Sequence, residues 1–155
     1  MHRTPILLAL LALAGCPSTV PYRPQEGVLR EVNGSEARAR LRETLGRAIE
    51  PPVQWVHVDD ESVRYRYKDI VRGPFGIPTG SLERTQEVFF VNVRQIELWD
   101  NDWVYMYGVD ARLIAKVCFD DERDARSFAD LMTSFRERRV RGIKRKSAPE
   151  PAPER

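Results

Sequence analysis

Residues 112–139 read RLIAKVCFDDERDARSFADLMTSFRERR, and a change of period inside that stretch decides the fold. Up to Phe119 the residues alternate as in a strand. After the acidic turn Asp120, Asp121, Glu122 the spacing becomes helical, with Ala125, Phe128, Ala129, Leu131, Met132 and Phe135 in one apolar stripe. Asp120, Asp121, Glu122 and Asp124 stand at the helix start and Arg136, Arg138 and Arg139 at its end, so charges at both ends complement the helix dipole. A helix is predicted over residues 121–139. Its stripe cannot stay in water and must cap the open end of a sheet.

Upstream of that stretch the chain alternates. Residues 53–58 make a strand, 59–62 a turn and 63–71 a second strand, with Val63, Tyr65 and Tyr67 on one side and Arg64, Arg66 and Lys68 on the other. Residues 73–80 hold three glycines and two prolines and are predicted as a loop. Residues 87–99 (EVFFVNVRQIELW) form a long strand region with a bend near Asn92-Val93. Strands over 103–109 and 112–119 follow a turn at 100–102 and join near Asp110-Ala111. Before all of these, residues 35–49 predict a helix. Ser35 is its N-cap, Ala37, Leu41, Leu45, Ala48 and Ile49 lie on one face, and Pro51-Pro52 ends it.

The expected fold class is α+β, a mostly antiparallel sheet or partly open barrel capped by a C-terminal amphipathic helix, with one extra N-terminal helix. Five or so antiparallel strands followed by one helix is the order of the pleckstrin-homology-like superfamily. Residues 53–139 resemble its bacterial and GRAM-type versions, in which the last strand runs through a short acidic turn into a helix, as FDDERDARSF does at 119–128. The N-terminal helix departs from that minimal fold. The resemblance implies a binding domain, and such domains use many different surfaces for protein or lipid partners.

The chain opens Met-His-Arg, and residues 6–14 (ILLALLALA) are apolar. That run is shorter than the about 20 residues a spanning helix needs, and it has the length of a signal-peptide core. A buried helix is disfavoured by Pro5, Pro17, Pro21 and Pro24 around it. Leu13-Ala14-Gly15-Cys16 resembles the lipobox of bacterial lipoproteins. The resemblance implies cleavage between Gly15 and Cys16, a diacylglyceryl group on the Cys16 thiol and acylation of the new amino group. Two or three acyl chains hold a protein firmly where one does not. The expected organisation is a signal peptide over 1–15, acylated Cys16 with a flexible tether over 16–32, a domain over 33–140 and a basic, then Pro/Glu-rich tail over 141–155. Pro17 and Ser18, with no aspartate beside the cysteine, favour the outer membrane facing the periplasm in a Gram-negative envelope.

A length of 155 residues suits one domain, and 42% hydrophobic with 31% charged residues exclude wholesale disorder. Residues 16–135 carry 16 basic and 20 acidic side chains, whereas 136–155 carry 8 and 3, so a mildly acidic domain ends in a basic tail. Arg136, Arg138, Arg139, Arg141, Lys144, Arg145 and Lys146 form a candidate partner surface for anionic lipid headgroups or envelope polymers. A solvated helix end with a disordered tail is the plainer account. Nucleic acid is not expected as a partner once the chain is exported. Trp99 and Trp103 belong to the same candidate surface. Trp103, Tyr105 and Tyr107 share one strand parity and Val104, Met106 and Gly108 the other, so the aromatics are either sheet core or an exposed aromatic edge.

Catalytic chemistry finds little support. The expected mature chain has one histidine, His57, no Gly-x-Ser-x-Gly, no zinc-ligand spacing and no glycine-rich phosphate loop. With Cys16 acylated, Cys118 has no disulfide partner and reads as a small buried hydrophobe. Asp59-Asp60-Glu61 and Asp100-Asn101-Asp102 read as turns rather than calcium loops. No cofactor and no enzymatic activity are expected. The function expected is a membrane-anchored lipoprotein acting as a binding or scaffolding module of the cell envelope. The alternative is a carrier or sensor of a small apolar ligand, with a pocket lined by Phe89, Tyr105 and Phe128.

Overall fold

The computed structural model describes residues 20–22 and 34–146; the segment 1–15, Cys16, the rest of the tether and the tail from 147 lie outside the described residues. The elements are β1 (Val20–Pro21), α1 (Gly34–Gly46), β2 (Val53–Val58), β3 (Ser62–Arg72), β4 (Pro78–Phe89), β5 (Gln95–Leu98), β6 (Trp103–Tyr107), β7 (Leu113–Cys118) and α2 (Glu122–Lys146). The fold is α+β. One antiparallel sheet has the order β2-β3-β4; the other runs β1-β5-β6-β7 and includes the two-residue β1.

The two sheets meet at a corner. Glu50 forms an antiparallel bridge with Cys118, whose amide donates to the Glu50 carbonyl at 2.7 Å, while the Ile49 amide donates to the Cys118 carbonyl at 2.9 Å. Along the opposite side Gln86 Nε2 reaches the Ile114 carbonyl at 3.4 Å, and the sheets do not close into a barrel. Their inner faces supply Val56, Val58, Val63, Tyr65, Val88, Val104, Met106, Ala115 and Val117. The stripe of α2 predicted from sequence (Ala125, Phe128, Ala129, Leu131, Met132, Phe135) is buried against them, joined by Leu41 and Leu45 of α1. Phe90, in the short turn between the sheets, stacks on Phe135 at 4.7 Å between ring centroids. Burial of large apolar side chains contributes about 1.5–3 kcal/mol each, so this ring pair ties the β4–β5 connection to α2.

Four expectations change. The loop over 73–80 narrows to 73–77, because β4 begins at Pro78 and pairs with β3 out to Arg72. Most of β4 is solvated on both faces, so it lacks the alternation that marks a half-buried strand. Helix α1 ends at Gly46, since the chain must leave the helix for Ile49 and Glu50 to reach β7; Ile49, expected on the buried face, is 50% exposed. Helix α2 continues seven residues past its expected end at 139, into the expected tail, and the pair Arg141–Glu137 (3.8 Å), one turn apart, spans that expected end. Finally, the expected flexible tether contains an ordered strand, Val20 opposite Leu98 and Pro21 opposite Glu97.

Candidate interaction surfaces

Cys16 lies outside the described residues, but the strand that follows it is described. The Tyr22 amide donates to the Ile96 carbonyl at 3.0 Å, and its phenol donates to Asp130 Oδ1 at 2.7 Å. Four peptide units reach at most about 14 Å, so Cys16 is within that distance of Val20.

The basic residues gather on the last turns of α2, beside the start of β5. Arg94, Arg136, Arg141 and Glu137 surround a cleft of about 420 Å³ whose apolar lining is Val93 and Val140, and Arg141 pairs with Glu137 at 3.8 Å. Arg136 Nη1 donates to the Arg94 carbonyl at 3.0 Å, which fixes the helix against the β4–β5 connection. Arg139 pairs with Glu61 at 2.5 Å, and Arg138 is half-buried on the same helix. Lys144, Arg145 and Lys146 continue the helix backbone; their side chains lie outside the described residues. Three guanidinium groups, one of them offset by the Glu137 carboxylate, leave a net positive wall beside an apolar floor, which suits an anionic group carried on an apolar body.

Trp99 and Trp103 do not join that cluster. Arg94 precedes β5 and Trp99 follows it, a separation of roughly 17 Å at strand rise. Val104 and Met106 take the core, which settles the parity left open by the sequence, and Trp103, Tyr105 and Tyr107 lie half-buried on the outer face. There the rings adjoin as a stripe, Trp99 tilted on Tyr105 at 4.7 Å, Trp103 tilted on Tyr105 at 6.0 Å and Tyr105 stacked on Tyr107 at 6.3 Å. Lys116 Nζ sits 4.7 Å over the Trp103 ring. Trp99 Nε1 donates to Glu97 Oε2 at 3.3 Å. Burial, with the neighbouring Glu97 carboxylate, pushes the Tyr107 phenol upward. The single expected patch is therefore two separate surfaces.

A second concavity escaped the sequence reading. A cleft of about 400 Å³ opens between the inner side of β3 and the free edge of β7, with Tyr65, Tyr67, Asp69, Gln86, Trp103 and Lys116 among its walls. Tyr65 is buried and its phenol is pushed upward by that burial. The alternation of Val63, Tyr65 and Tyr67 was the available signal. It marks an inward face and cannot tell a filled interior from an open one.

The remaining candidates resolve plainly. Phe128 is fully buried in the core, Tyr105 is on the outer sheet face and Phe89 is 42% exposed with its neighbours Val88 and Phe90 turned inward, so the three do not line one pocket. Cys118 is buried; burial and the carboxylates of Glu50 and Asp102 push its thiol upward, away from the reactive thiolate. His57 is exposed, stacked on Trp55 at 6.0 Å, with Nε2 3.9 Å from Asp59 Oδ2. Asp59 Oδ1 accepts the amides of Glu61 (2.7 Å) and Ser62 (2.8 Å), closing an Asx-type turn. Those two hydrogen bonds lower its carboxyl although burial alone would raise it. Asp102 adopts φ 61° in the other turn, and burial, with Glu122, Asp121 and Asp120 nearby, raises its carboxyl. Among the described residues no group of three or more His, Cys, Asp or Glu side chains is placed to hold a metal, and no helix is long and apolar enough to cross a membrane. No family model, curated protein or solved structure matches the chain.

Proposed function

We propose that the chain is a membrane-anchored bacterial lipoprotein whose domain is a non-enzymatic binding or scaffolding module of the cell envelope, held, in a Gram-negative envelope, in the outer membrane and facing the periplasm. The observation that carries this reading is Leu13-Ala14-Gly15-Cys16 directly behind the apolar run at 6–14. Two antiparallel sheets capped by a C-terminal helix, with the strand order described above, support a pleckstrin-homology-like domain. The arginine-lined cleft of Arg94, Arg136 and Arg141 supports an anionic partner, either an envelope polymer or an acidic segment of an envelope protein. On this reading the stalk is short, because β1 is paired from Val20 onward and the domain hangs within about 14 Å of the acylated thiol.

Intact mass and fractionation of the natively expressed protein, wild type beside Cys16→Ser, test the proposal. The expected result is a wild type that starts at Cys16, carries acyl mass and sediments with membranes, while Cys16→Ser carries none. A wild type that starts at Met1 and stays in the soluble fraction overturns it.

A further inference from the structure

The hairpin of β3 and β4 outgrows the rest of its sheet. Strand β2 pairs with β3 as far as Val53 opposite Tyr67, with one more bond from the Lys68 amide to the Pro52 carbonyl at 3.3 Å, whereas β3 and β4 continue to Arg72 opposite Pro78. Residues 69–82 are therefore a two-stranded ribbon that stands roughly 20 Å clear of the third strand. Two-stranded ribbons are marginal by themselves, and this one is closed at its end by local bonds. Gly73 donates to the Ile77 carbonyl at 2.8 Å, Arg72 Nη1 donates to the Gly76 carbonyl at 3.1 Å and Thr79 Oγ1 donates to the Val71 carbonyl at 3.2 Å.

What the ribbon presents is apolar. Phe75 is 99% exposed at the apex, Ile77 is 61% exposed, and Leu82, Ile70 and Val71 are exposed below them. Phe75 also holds φ 66°, a left-handed conformation that is unfavourable for a bulky residue. A strained and fully solvated phenylalanine contributes nothing to the core, so its placement calls for a use outside the fold. The flanking charge is cationic. Residues 66–84 hold four basic side chains against two acidic ones; Arg84 is paired with Asp69 at 2.7 Å, which leaves Arg66, Lys68 and Arg72 against Glu83, opposite Lys68 on the neighbouring strand.

We propose that this hairpin tip, Phe75 with Ile77 at its apex and Arg66, Lys68 and Arg72 behind it, inserts into the headgroup region of an anionic lipid bilayer. The shape selects the partner. The tip is convex and narrow, with far less area than the roughly 800 Å² per side of a stable protein interface. Aromatic and aliphatic side chains at a tip partition into the bilayer interface, and cations behind them meet lipid phosphates. The choice of a bilayer rests on the tethered-lipoprotein reading, since a tether at Cys16 raises the effective concentration of a weak second contact.

The test uses the full chain carrying Cys16→Ser and Phe75→Cys, labelled at position 75 with a nitrobenzoxadiazole dye, and vesicles of phosphatidylcholine with or without phosphatidylglycerol. Cys118 is buried and stays unlabelled. Emission at position 75 is expected to rise and shift to the blue with the anionic vesicles, and to do so less at high salt and in Lys68→Glu. Without the dye, Phe75→Ser with Ile77→Ser lowers the vesicle partition coefficient about tenfold or more. Unchanged emission on protein that has sedimented with the vesicles overturns the proposal. So does a shift that needs no lipid and grows with protein concentration, which would mean a second copy. The tethered reading fails by a different result, the missing acyl mass on the wild type, so the two are separable.

Discussion

The Tyr22 phenol donates to Asp130 Oδ1 at 2.7 Å across 108 residues of sequence, and this one bond fastens the strand nearest the N-terminal cysteine to the middle of the C-terminal helix. Asp130 is only 9% exposed, so its carboxylate needs the donors it has. Tyr22→Phe removes one of them and is expected to cost about 1–2 kcal/mol, read as a lower urea midpoint at unchanged slope.

The same bond predicts an alkaline dependence. Burial, then the hydrogen bond to Asp130, raise the Tyr22 phenol above its ordinary value. A group whose folded-state pKa is raised contributes stability that is fully present below its unfolded pKa of about 10 and is lost as pH climbs past it. Tyr65, raised by burial, acts in the same direction. Urea midpoints measured from pH 8 to 11 are therefore expected to fall in the wild type and to fall less steeply in Tyr22→Phe. Parallel curves would show that Tyr22 does not carry the effect.

On the acid side the corresponding pair is Arg47 and Asp124. Arg47 Nε meets Asp124 Oδ2 at 2.7 Å and Nη2 meets Oδ1 at 2.9 Å, a two-pronged contact joining the end of α1 to the start of α2. The hydrogen bond from Arg47 holds the Asp124 carboxyl below its ordinary value, and such a group contributes stability above about pH 4 that is lost as pH falls. The Arg47 side chain is 45% exposed, so screening by water limits the contribution to under about 1 kcal/mol. Asp124→Asn is expected to lower the midpoint by that amount at pH 7 and to converge with wild type below pH 3.

The joint between the sheet corner and the helix is expected to be far more sensitive. Phe135→Ala empties the space against Phe90 and is predicted to cost about 3 kcal/mol or more, with one cooperative transition because the described residues share one core. Trp99→Ala, on the outer face, is expected to cost clearly less. Equal costs would place the aromatic stripe in the core, against the parity of Val104 and Met106.

Legibility in the sequence followed solvent contrast. Helix α2 has an apolar stripe facing the sheet and charge facing water, so its residues announced both the element and its partner. Strands β6 and β7 alternate for the same reason. The outer half of the β3–β4 ribbon has water on both faces, and residues 78–86 (PTGSLERTQ) consequently carry no period to read. Strand β1 is short, lies in a proline-rich stretch and is held by partners at Ile96, Leu98 and Asp130, which only tertiary structure brings near. The arginines of 136–141 were visible as charge. That Arg136 and Arg141 flank Arg94 and an apolar floor, apart from Trp99 and Trp103, depends on where α2 crosses the start of β5. Parity alone could not choose between Trp103/Tyr105/Tyr107 and Val104/Met106 as core, because aromatic and aliphatic sets both suit a sheet interior.

Cys118 offers the sharpest check on the corner where the sheets meet. Its amide and carbonyl bridge Ile49 and Glu50, its Sγ lies 3.7 Å from the Asn101 carbonyl, and burial with the charges of Glu50 and Asp102 pushes its thiol upward. Both the access and the thiolate fraction needed for reaction are therefore suppressed in the folded chain. In the Cys16→Ser protein at pH 8, a disulfide reagent such as dithionitrobenzoate is expected to leave Cys118 unmodified over minutes and to titrate one thiol promptly in denaturing urea. Because reaction requires opening of this corner, the native rate reports its local stability. Glu50→Pro removes the amide that donates to the Cys118 carbonyl at 3.5 Å and, with its carboxylate, one of the charges that push the thiol upward, and is expected to raise that rate well before it abolishes the fold. Labelling in the native wild-type corner as fast as in urea would mean that the two sheets are not joined there.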